Sequence, residues 1–366
     1  MRVLMLTTTG ALIDGINRHI LAVSKGLKNC GLDVAVCIVH SGGDLSNALN
    51  DAGIKVYTLE CKNGHDIRLL WRFCSVMRSF RPDIVHVHVL ALLERIVLAV
   101  FFRSVHKVVT IHGIVDPVLV ETVRQKMERW VCKLVPLSNS HEIFISIGVR
   151  KYYKGIGPVI YNPIEVPRHK ASHKLHDELG LSYDVPILGT ACRFAEVKQP
   201  LVFVEVMCRV LEQIPKAHAV LIGDGDESIK QGMKAKISQS RLDDRIHWLG
   251  YRTDAPELVG ELDMFIMTSK REGMPTALLE AMAQWIPVAF LKGDGGLMDL
   301  VAMDIQYGGI AIIAESAENL ARGIINSLGQ KIICRKMVDR ARAVVDDCFS
   351  LDSVVLKLTS FYNQIT

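Results

Sequence analysis

The chain contains nine cysteines but no C-x-x-C pair and no regular cysteine spacing. Single, scattered thiols argue against a disulfide-stapled scaffold and for reduced, mostly core-packed cysteines of a cytoplasmic protein. A membrane span is missing as well. The longest apolar stretch, "RIVLAVFFRSV", falls far short of the ~20 residues that a bilayer demands. The opening "MRVLMLTTTG" has one positive charge and a very short apolar run, so it reads as a first strand rather than a signal peptide. The expectation is a protein that is soluble or peripheral on the inner face of the plasma membrane. The turn after that strand, "TTTGALIDGIN", lacks the G-x-G-x-x-G spacing, which disfavours a dinucleotide oxidoreductase. The D-x-D of "LIGDGDE" is better explained by its turn, no other stands in a plausible metal–diphosphate loop, and no short repeat or low-complexity tract is present.

What is there fills two domains. With 366 residues, 49% of them hydrophobic, burying a large core poses no difficulty. The net charge of +4 is uneven: residues 1–165 hold 20 Lys and Arg against 13 Asp and Glu, and the remainder holds 23 against 26. A basic first half suits an anionic partner, with phospholipid headgroups, a lipid-linked phosphate and nucleic acid all open at this point. Short apolar runs alternate with helical stretches: "VLMLTT", "VAVCIV", "IKVYTL", "DIVHVHV", "KVVTIHG", "KLVPLSN" and "PVIYNPI". After the polar connection "EVPRHKASHKLHDELGL" the pattern restarts with "PILGTACRF", "HAVLIGDGD", "RIHWLGY", "DMFIMTS", "IPVAFL" and "GGIAII". This alternation predicts α/β architecture with two Rossmann-like, doubly wound domains facing across a cleft. The boundaries read as 1–164, 165–349 and a last helical segment 350–366. Ligands of open α/β sheets bind at the carboxyl ends of the strands, and every candidate residue below falls there.

The densest cluster of candidates is "SKREGMPTALLEAMAQ", which keeps Glu272 and Glu280 in an otherwise apolar segment. Proline and good helix formers after "KREGM" predict a helix opening at Pro275 and Thr276. Eight residues at ~1.5 Å each put the two carboxylates roughly 12 Å apart, too far to share one glycosidic bond, whose carboxylate pairs stand ~5–9.5 Å apart. They could instead hold two ends of one ligand across an anion-binding helix N-terminus. An ordinary loop glutamate plus a surface glutamate fits that stretch equally well. In "GTACRFAEVKQP", Arg193 and Lys198 lie in a strand-to-helix loop, where a fork and a point charge suit a diphosphate and a solvated loop pair is the plain alternative. Gly223 and Gly225 of "LIGDGDE" read as a tight turn. Gly250, ending "HWLGYR", would let backbone approach a flat ligand such as a nucleobase, or is simply a turn glycine.

Taken together and in order, these residues resemble the retaining glycosyltransferases of GT-B fold, in particular family 4. "CRFAEVK" is similar to that family's Arg-then-Lys diphosphate clamp and "EGMPTALLEAMA" to its E-x7-E signature. The likeness runs from "DGINRHI" through "DIVHVH", "TIHG", "VIYNPIE", "LIGDGDE" and "WLGYRTD" to "CFSLDSVVLKLTSFY", which resembles a terminal helix crossing back onto the first domain. The resemblance implies that Glu280 binds the ribose hydroxyls and Glu272 the donor sugar, while the amides of Gly273, Met274, Pro275 and Thr276 face the phosphates. Arg193, Lys198 and the helix N-terminus would neutralise the leaving diphosphate without a metal. Gly15 would approach the diphosphate, although the family's glycine pair is Asp14-Gly15 in this chain. His112 of "TIHG" would reach the sugar near the reacting carbon, and Gly295 and Gly296 would line the sugar pocket. His86 and His88 alternate on one strand, share a face and would line the acceptor side. The implied route is a same-face displacement in which the departing phosphate takes the acceptor's proton, with no side-chain base. Two departures bear on sugar preference: Trp285 replaces the family's glycine after the signature helix, and Asp299 replaces its glutamate.

The implied activity is transfer of a hexosyl or N-acetylhexosaminyl unit, with UDP favoured as the nucleotide and the nucleotide sugar as co-substrate rather than cofactor. The implied acceptor is a lipid-linked or polysaccharide one in bacterial surface glycan synthesis, such as O-antigen, capsule or exopolysaccharide. Nucleic acid is then no partner. A nucleotide-sugar epimerase and a non-catalytic nucleotide-sugar-binding protein are the rival readings. In "HDIRLLWRFCSVMRSFRPD", the residues Leu69, Leu70, Phe73, Val76, Met77 and Phe80 fall on one helical face, with Trp71 among arginines off it. That is the pattern of a core-facing helix whose outer side also suits a lipid interface.

Overall fold

The computed structural model describes residues 1–12, 15–62, 66–89, 92–114, 135–164, 173–328 and 330–366. They form two compact units, Met1–Pro163 together with Leu351–Thr366, and Ile164–Ser350. The first holds a parallel sheet of β1 (Arg2–Thr7), β2 (Asp33–Ile38), β3 (Lys55–Thr58), β4 (Ile84–Val87), β5 (His106–Ile111) and β6 (Ser140–Phe144), in the order β3-β2-β1-β4-β5-β6. The second holds β7 (Ile187–Ala191), β8 (His218–Ile222), β9 (Ile246–Gly250), β10 (Met264–Met267), β12 (Val288–Leu291) and β14 (Ile312–Ala314), in the order β14-β12-β10-β7-β8-β9. A two-stranded ribbon of β11 (Arg271–Glu272) and β13 (Asp294–Gly295) accompanies it. Counted within its own unit, each main sheet follows the 3-2-1-4-5-6 order of a Rossmann fold.

The inner strands are mostly apolar because both faces are covered. In β1, Val3 and Met5 pack with Ile20, Val23 and Leu27 of the helix Gly15–Asn29 and with Val354, Val355 and Leu358 of the terminal helix Leu351–Ile365. Leu4 and Leu6 point the other way, onto Leu69, Phe73 and Met77 of the helix Arg68–Phe80. A period of two thus divides one strand between two cores. The helix Arg68–Phe80 buries the predicted face while Leu70 is only half-buried and Trp71 stays 75% exposed. The second unit repeats this layering around Leu188, Phe203, Leu221, Met264 and Ile266.

One expected strand is displaced. "KLVPLSN" is not a strand where it is described; residues 135–139 form bends and turns and the strand is Ser140–Phe144. Pro136 has no N–H to give a parallel ladder, and Asn139 adopts a left-handed turn conformation, φ 50°. "PVIYNPI" contributes only a single bridge, Val159 to Phe144. All eight described cysteines are free thiols. Among the described residues no helix is long and apolar enough to cross a membrane.

Candidate functional site

The order of the second sheet reverses between β7 and β10, which lie side by side. At such a switch point the two outgoing loops part and leave room for a ligand. The loop after β7 turns through Glu196–Lys198, and the loop after β10 is tied to it twice. Lys270 N–H donates to the Val197 carbonyl at 2.8 Å, and the Thr268 hydroxyl donates to the Gln199 carbonyl at 3.0 Å. The result is an ion pair, Lys198 Nζ to Glu272 Oε2 at 2.5 Å, with the two side chains 24% and 8% exposed. Glu272 lies in β11 opposite Gly295 of β13. Gly295 has φ 71°, and a Cβ there would stand 2.0 Å from the Glu272 carbonyl oxygen, so this register admits only glycine. Gly296 opens the next helix, Gly296–Tyr307, in whose first turn Asp299 is buried. The ribbon therefore brings Lys198, Glu272, Gly273, Gly295 and Gly296 together from three loops.

Arg193 sits in the same β7 loop and is exposed. Its neighbour Phe194 is stitched to the loop after β8: Phe194 N–H donates to the Asp224 carbonyl and Asp226 N–H to the Phe194 carbonyl, both at 2.9 Å. A Cβ on Gly223 would lie 1.9 Å from the Cys192 carbonyl oxygen and one on Gly225 2.2 Å from that of Phe194. The "GDG" glycines thus serve the close approach of the Arg193 loop. Gly250 ends β9, and its carbonyl accepts from Gly223 N–H at 2.8 Å, which links the three successive loops.

The helix after Glu272 runs Thr276–Ala283, with Met274 and Pro275 buried ahead of it and Glu280 half-buried on it. The expectation that all four amides of 273–276 face an anion needs correction. Pro275 has no N–H, and its φ −78°, ψ 70° close a tight γ-turn in which Thr276 N–H donates to the Met274 carbonyl at 2.9 Å. Neither Pro275 nor Thr276 offers a backbone donor. At the other end of this helix Trp285 takes the left-handed conformation, φ 63°, that glycine normally supplies. Ile286 N–H closes the turn on the Ala281 carbonyl at 3.0 Å, and the Arg342 guanidinium lies over the indole, 5.8 Å from the ring centre. The helix end therefore closes as it would with glycine.

In the first unit the switch point lies between β1 and β4. The helix Gly15–Asn29 starts at Gly15, where a Cβ would touch nothing; Asp14 lies outside the described residues. His88 and His112 are the first residues after β4 and β5, and His88 Nδ1 is hydrogen-bonded to His112 Nε2 at 2.9 Å. Burial pushes the His112 imidazole down to about 4, and burial with three histidine neighbours lowers His88 as well. His88, 5% exposed, does not line an acceptor surface, and neither does His86. The His86 ring is 1% exposed, stacks on His88, and spends both ring nitrogens at 2.6 Å on the hydroxyls of Tyr362 and Thr110. Its strand position points it under the terminal helix instead of into solvent. Two residues escaped the sequence reading. His19 packs edge-on against His88 and His112, with ring centres 5.2 and 5.4 Å apart. Asn17, fully buried, donates to the Ala11 carbonyl at 2.9 Å and accepts from the Thr7 hydroxyl at 3.1 Å, fixing the loop after β1. Two polar residues near the start of an amphipathic helix, both of them buried, were the available signal.

Two family models divide the chain between them. Residues 13–167 match "Glycosyltransferase Family 4" and residues 172–344 match "Glycosyl transferases group 1". The UDP-Gal:alpha-D-GlcNAc-diphosphoundecaprenol alpha-1,3-galactosyltransferase of Escherichia coli is 25% identical, over 96% of this chain and 94% of its own length. The N-acetyl-alpha-D-glucosaminyl L-malate synthase of Bacillus anthracis is also 25% identical, over 82% and 80%. Among solved structures, Anabaena HepE in complex with UDP and glucose superimposes with a TM-score of 0.79 at 20% identity, covering all of both chains, a likeness of fold. With two Rossmann sheets in this order and both family models satisfied, the chain belongs to the GT-B glycosyltransferases of family 4 type.

Proposed function

We propose that this protein is a retaining glycosyltransferase that moves a sugar from a UDP-sugar to a lipid-linked or polysaccharide acceptor in bacterial surface glycan synthesis. The observation that carries the reading is the Lys198–Glu272 pair at the β7/β10 switch point, flanked by Gly295 and the helix that bears Glu280. Lys198 and the exposed Arg193 supply two positive charges on one loop for a diphosphate. A fork and a point charge together neutralise the charge that develops as the glycosidic bond to phosphate breaks, a task a metal performs in other enzymes. Glu272, at one side of that cation, would accept hydrogen bonds from sugar hydroxyls, and Glu280, a turn into the helix, from the ribose. His112 is assigned to the donor sugar, as the family resemblance implies. The acceptor hydroxyl then attacks from the face the phosphate leaves, and the departing phosphate oxygen receives its proton.

UDP is favoured because the E. coli relative is named for UDP-Gal and the Anabaena neighbour was crystallised with UDP and glucose. The surface-glycan role is supported by that relative's diphosphoundecaprenol acceptor and by the Vi polysaccharide and lipopolysaccharide core proteins among the other relatives. The exposed Trp71 beside arginines, on a chain with a basic first half, suits a peripheral position at the inner membrane face, where a lipid-linked acceptor would lie. The test is a panel of nucleoside diphosphate sugars, read by protection against thermal unfolding and by slow release of nucleotide. One UDP-sugar should stabilise the protein and be hydrolysed, with the anomer of the released or transferred sugar unchanged. Stabilisation without any turnover, in the presence of lipid-linked acceptors, would leave a binding protein instead.

A further inference from the structure

Three imidazoles from three different segments meet above the first sheet: His19 from the helix behind β1, His88 after β4 and His112 after β5. Every pair of ring centres is 5.2–5.4 Å apart, yet the trio makes one direct hydrogen bond, between His88 Nδ1 and His112 Nε2. A bond between two ring nitrogens needs one N–H and one lone pair. Burial lowers all three rings well below their usual range, so each is neutral and carries one proton.

Only two assignments remain, and they differ in what they leave at His88 Nε2. That atom is buried and has no hydrogen-bond partner among the described residues. If His112 Nε2–H donated, His88 would carry its own proton on Nε2, and that N–H would be stranded, buried with no acceptor among the described residues. If His88 Nδ1–H donates, Nε2 holds a lone pair alone, beside the stacked ring of His86. Orphaned buried N–H groups are rarer in proteins than under-used acceptors. The second assignment is favoured, and it determines the state of His112: its Nε2 accepts, so its proton resides on Nδ1.

We propose that His88 is a positioning residue that fixes His112 as the neutral Nδ1–H tautomer, so that the nitrogen His112 keeps for a ligand is a hydrogen-bond donor. His112 is the partly exposed ring of the three. It would thus seek an accepting oxygen, such as a sugar hydroxyl oxygen or a phosphate oxygen, and would do so without bringing a charge. His19, edge-on to both partners at 64° and 78°, blocks the ring rotations that would undo the arrangement. The catalytic meaning of this state rests on the proposed role of His112 at the donor sugar; the tautomer itself does not.

The test separates the two. Full-length protein labelled with 15N-histidine is examined by two-bond 1H–15N correlation near neutral pH, with signals assigned by their loss in His112→Gln and His88→Asn. A protonated Nδ1 and bare Nε2 on His112 is the expected result; a protonated Nε2 overturns the proposal. In turnover of the nucleotide sugar the protein accepts, His88→Leu should lower kcat about tenfold with nucleotide affinity unchanged. His88→Asn, whose amide N–H falls near the Nδ1 position, should restore most of that loss. Equal kcat in the Leu and Asn variants, both melting like the parent, overturns the positioning role. A protein that turned over no nucleotide sugar would refute the glycosyl-transfer reading while the spectrum still decided the tautomer.

Discussion

Mild acid should destabilise the first unit through its histidines, in a pH range where depressed carboxylates stay silent. His86 is surrounded by the Tyr362 hydroxyl, the Thr110 hydroxyl and the face of His88, and no carboxylate is hydrogen-bonded to its ring. Burial pushes it down to about 3 and His112 to about 4, against roughly 6.5 in an unfolded chain. Because the unfolded form binds the extra proton, this stability is whole above about pH 6.5 and is lost as pH falls from there towards the folded values. At about pH 5 the deficit is ~1.5 pH units at ~1.4 kcal/mol each, or about 2 kcal/mol per histidine and ~4 for the two. His19 and His88 shift in the same direction and steepen the loss. A depressed carboxylate such as Asp254, held by Arg252 and Lys174, gives up its contribution only below the ordinary carboxylate range. Urea unfolding followed by circular dichroism from about pH 7.5 to 5 measures the slope. His86→Asn, which cannot titrate, should remove about one proton from it. A midpoint indifferent to pH over that interval, or a variant slope equal to the parent's, would show that these rings are not held neutral by the fold.

Three further outcomes concern the second unit. Glu280→Ala should weaken nucleotide binding by ~1.5–3 kcal/mol, the loss of hydrogen bonds to a charged group; calorimetry showing unchanged affinity removes Glu280 from the ribose site. Arg193→Ala with Lys198→Ala should abolish turnover while the far-ultraviolet circular dichroism is retained, and full activity in that double variant refutes the clamp. Gly295→Ala forces a Cβ to 2.0 Å from the Glu272 carbonyl oxygen at φ 71°, so it should cost at least ~1–3 kcal/mol of stability; a neutral melting temperature would mean the β11–β13 ribbon yields freely.

The sheets were legible because parallel strands buried on both faces write themselves as apolar runs, and eleven of the twelve main strands among the described residues fall within or at those runs. "KLVPLSN" misled because its apolar residues surround a proline, while the real strand "SHEIF" carries Ser, His and Glu near the edge of the sheet. Side chains on a loop are readable from spacing only when a motif fixes them. Lys198 and Glu272 are 74 residues apart, and their contact depends on β7 and β10 being neighbours, which no local pattern states. His86 and His88 share a strand face, but the terminal helix, 276 residues from His86 by way of Tyr362, covers one and leaves the other next to His112. The γ-turn at Pro275 was hidden for a different reason: proline at a helix start reads as a first helical residue, and only its ψ of 70° shows the turn.

The Lys198–Glu272 pair raises the question of how a cation already engaged by a carboxylate can hold a diphosphate. An ammonium has three donors and Glu272 Oε2 takes one, so two remain for phosphate oxygens, while Oε1 remains for a hydroxyl. The pair need not break. Glu272, nearly buried, instead holds the flexible lysine in place before the anion arrives, so that less rotamer freedom is lost on binding. A guanidinium cannot take over this arrangement: its planar fork would engage Glu272 with two parallel donors and direct the rest in that same plane. Lys198→Arg should therefore keep the charge and the fold yet lower kcat by an order of magnitude or more, as loss of an aligned electrostatic donor does elsewhere. Steady-state kinetics on the accepted nucleotide sugar decides it, because a site that needed only positive charge at this position would turn over at the parent's rate.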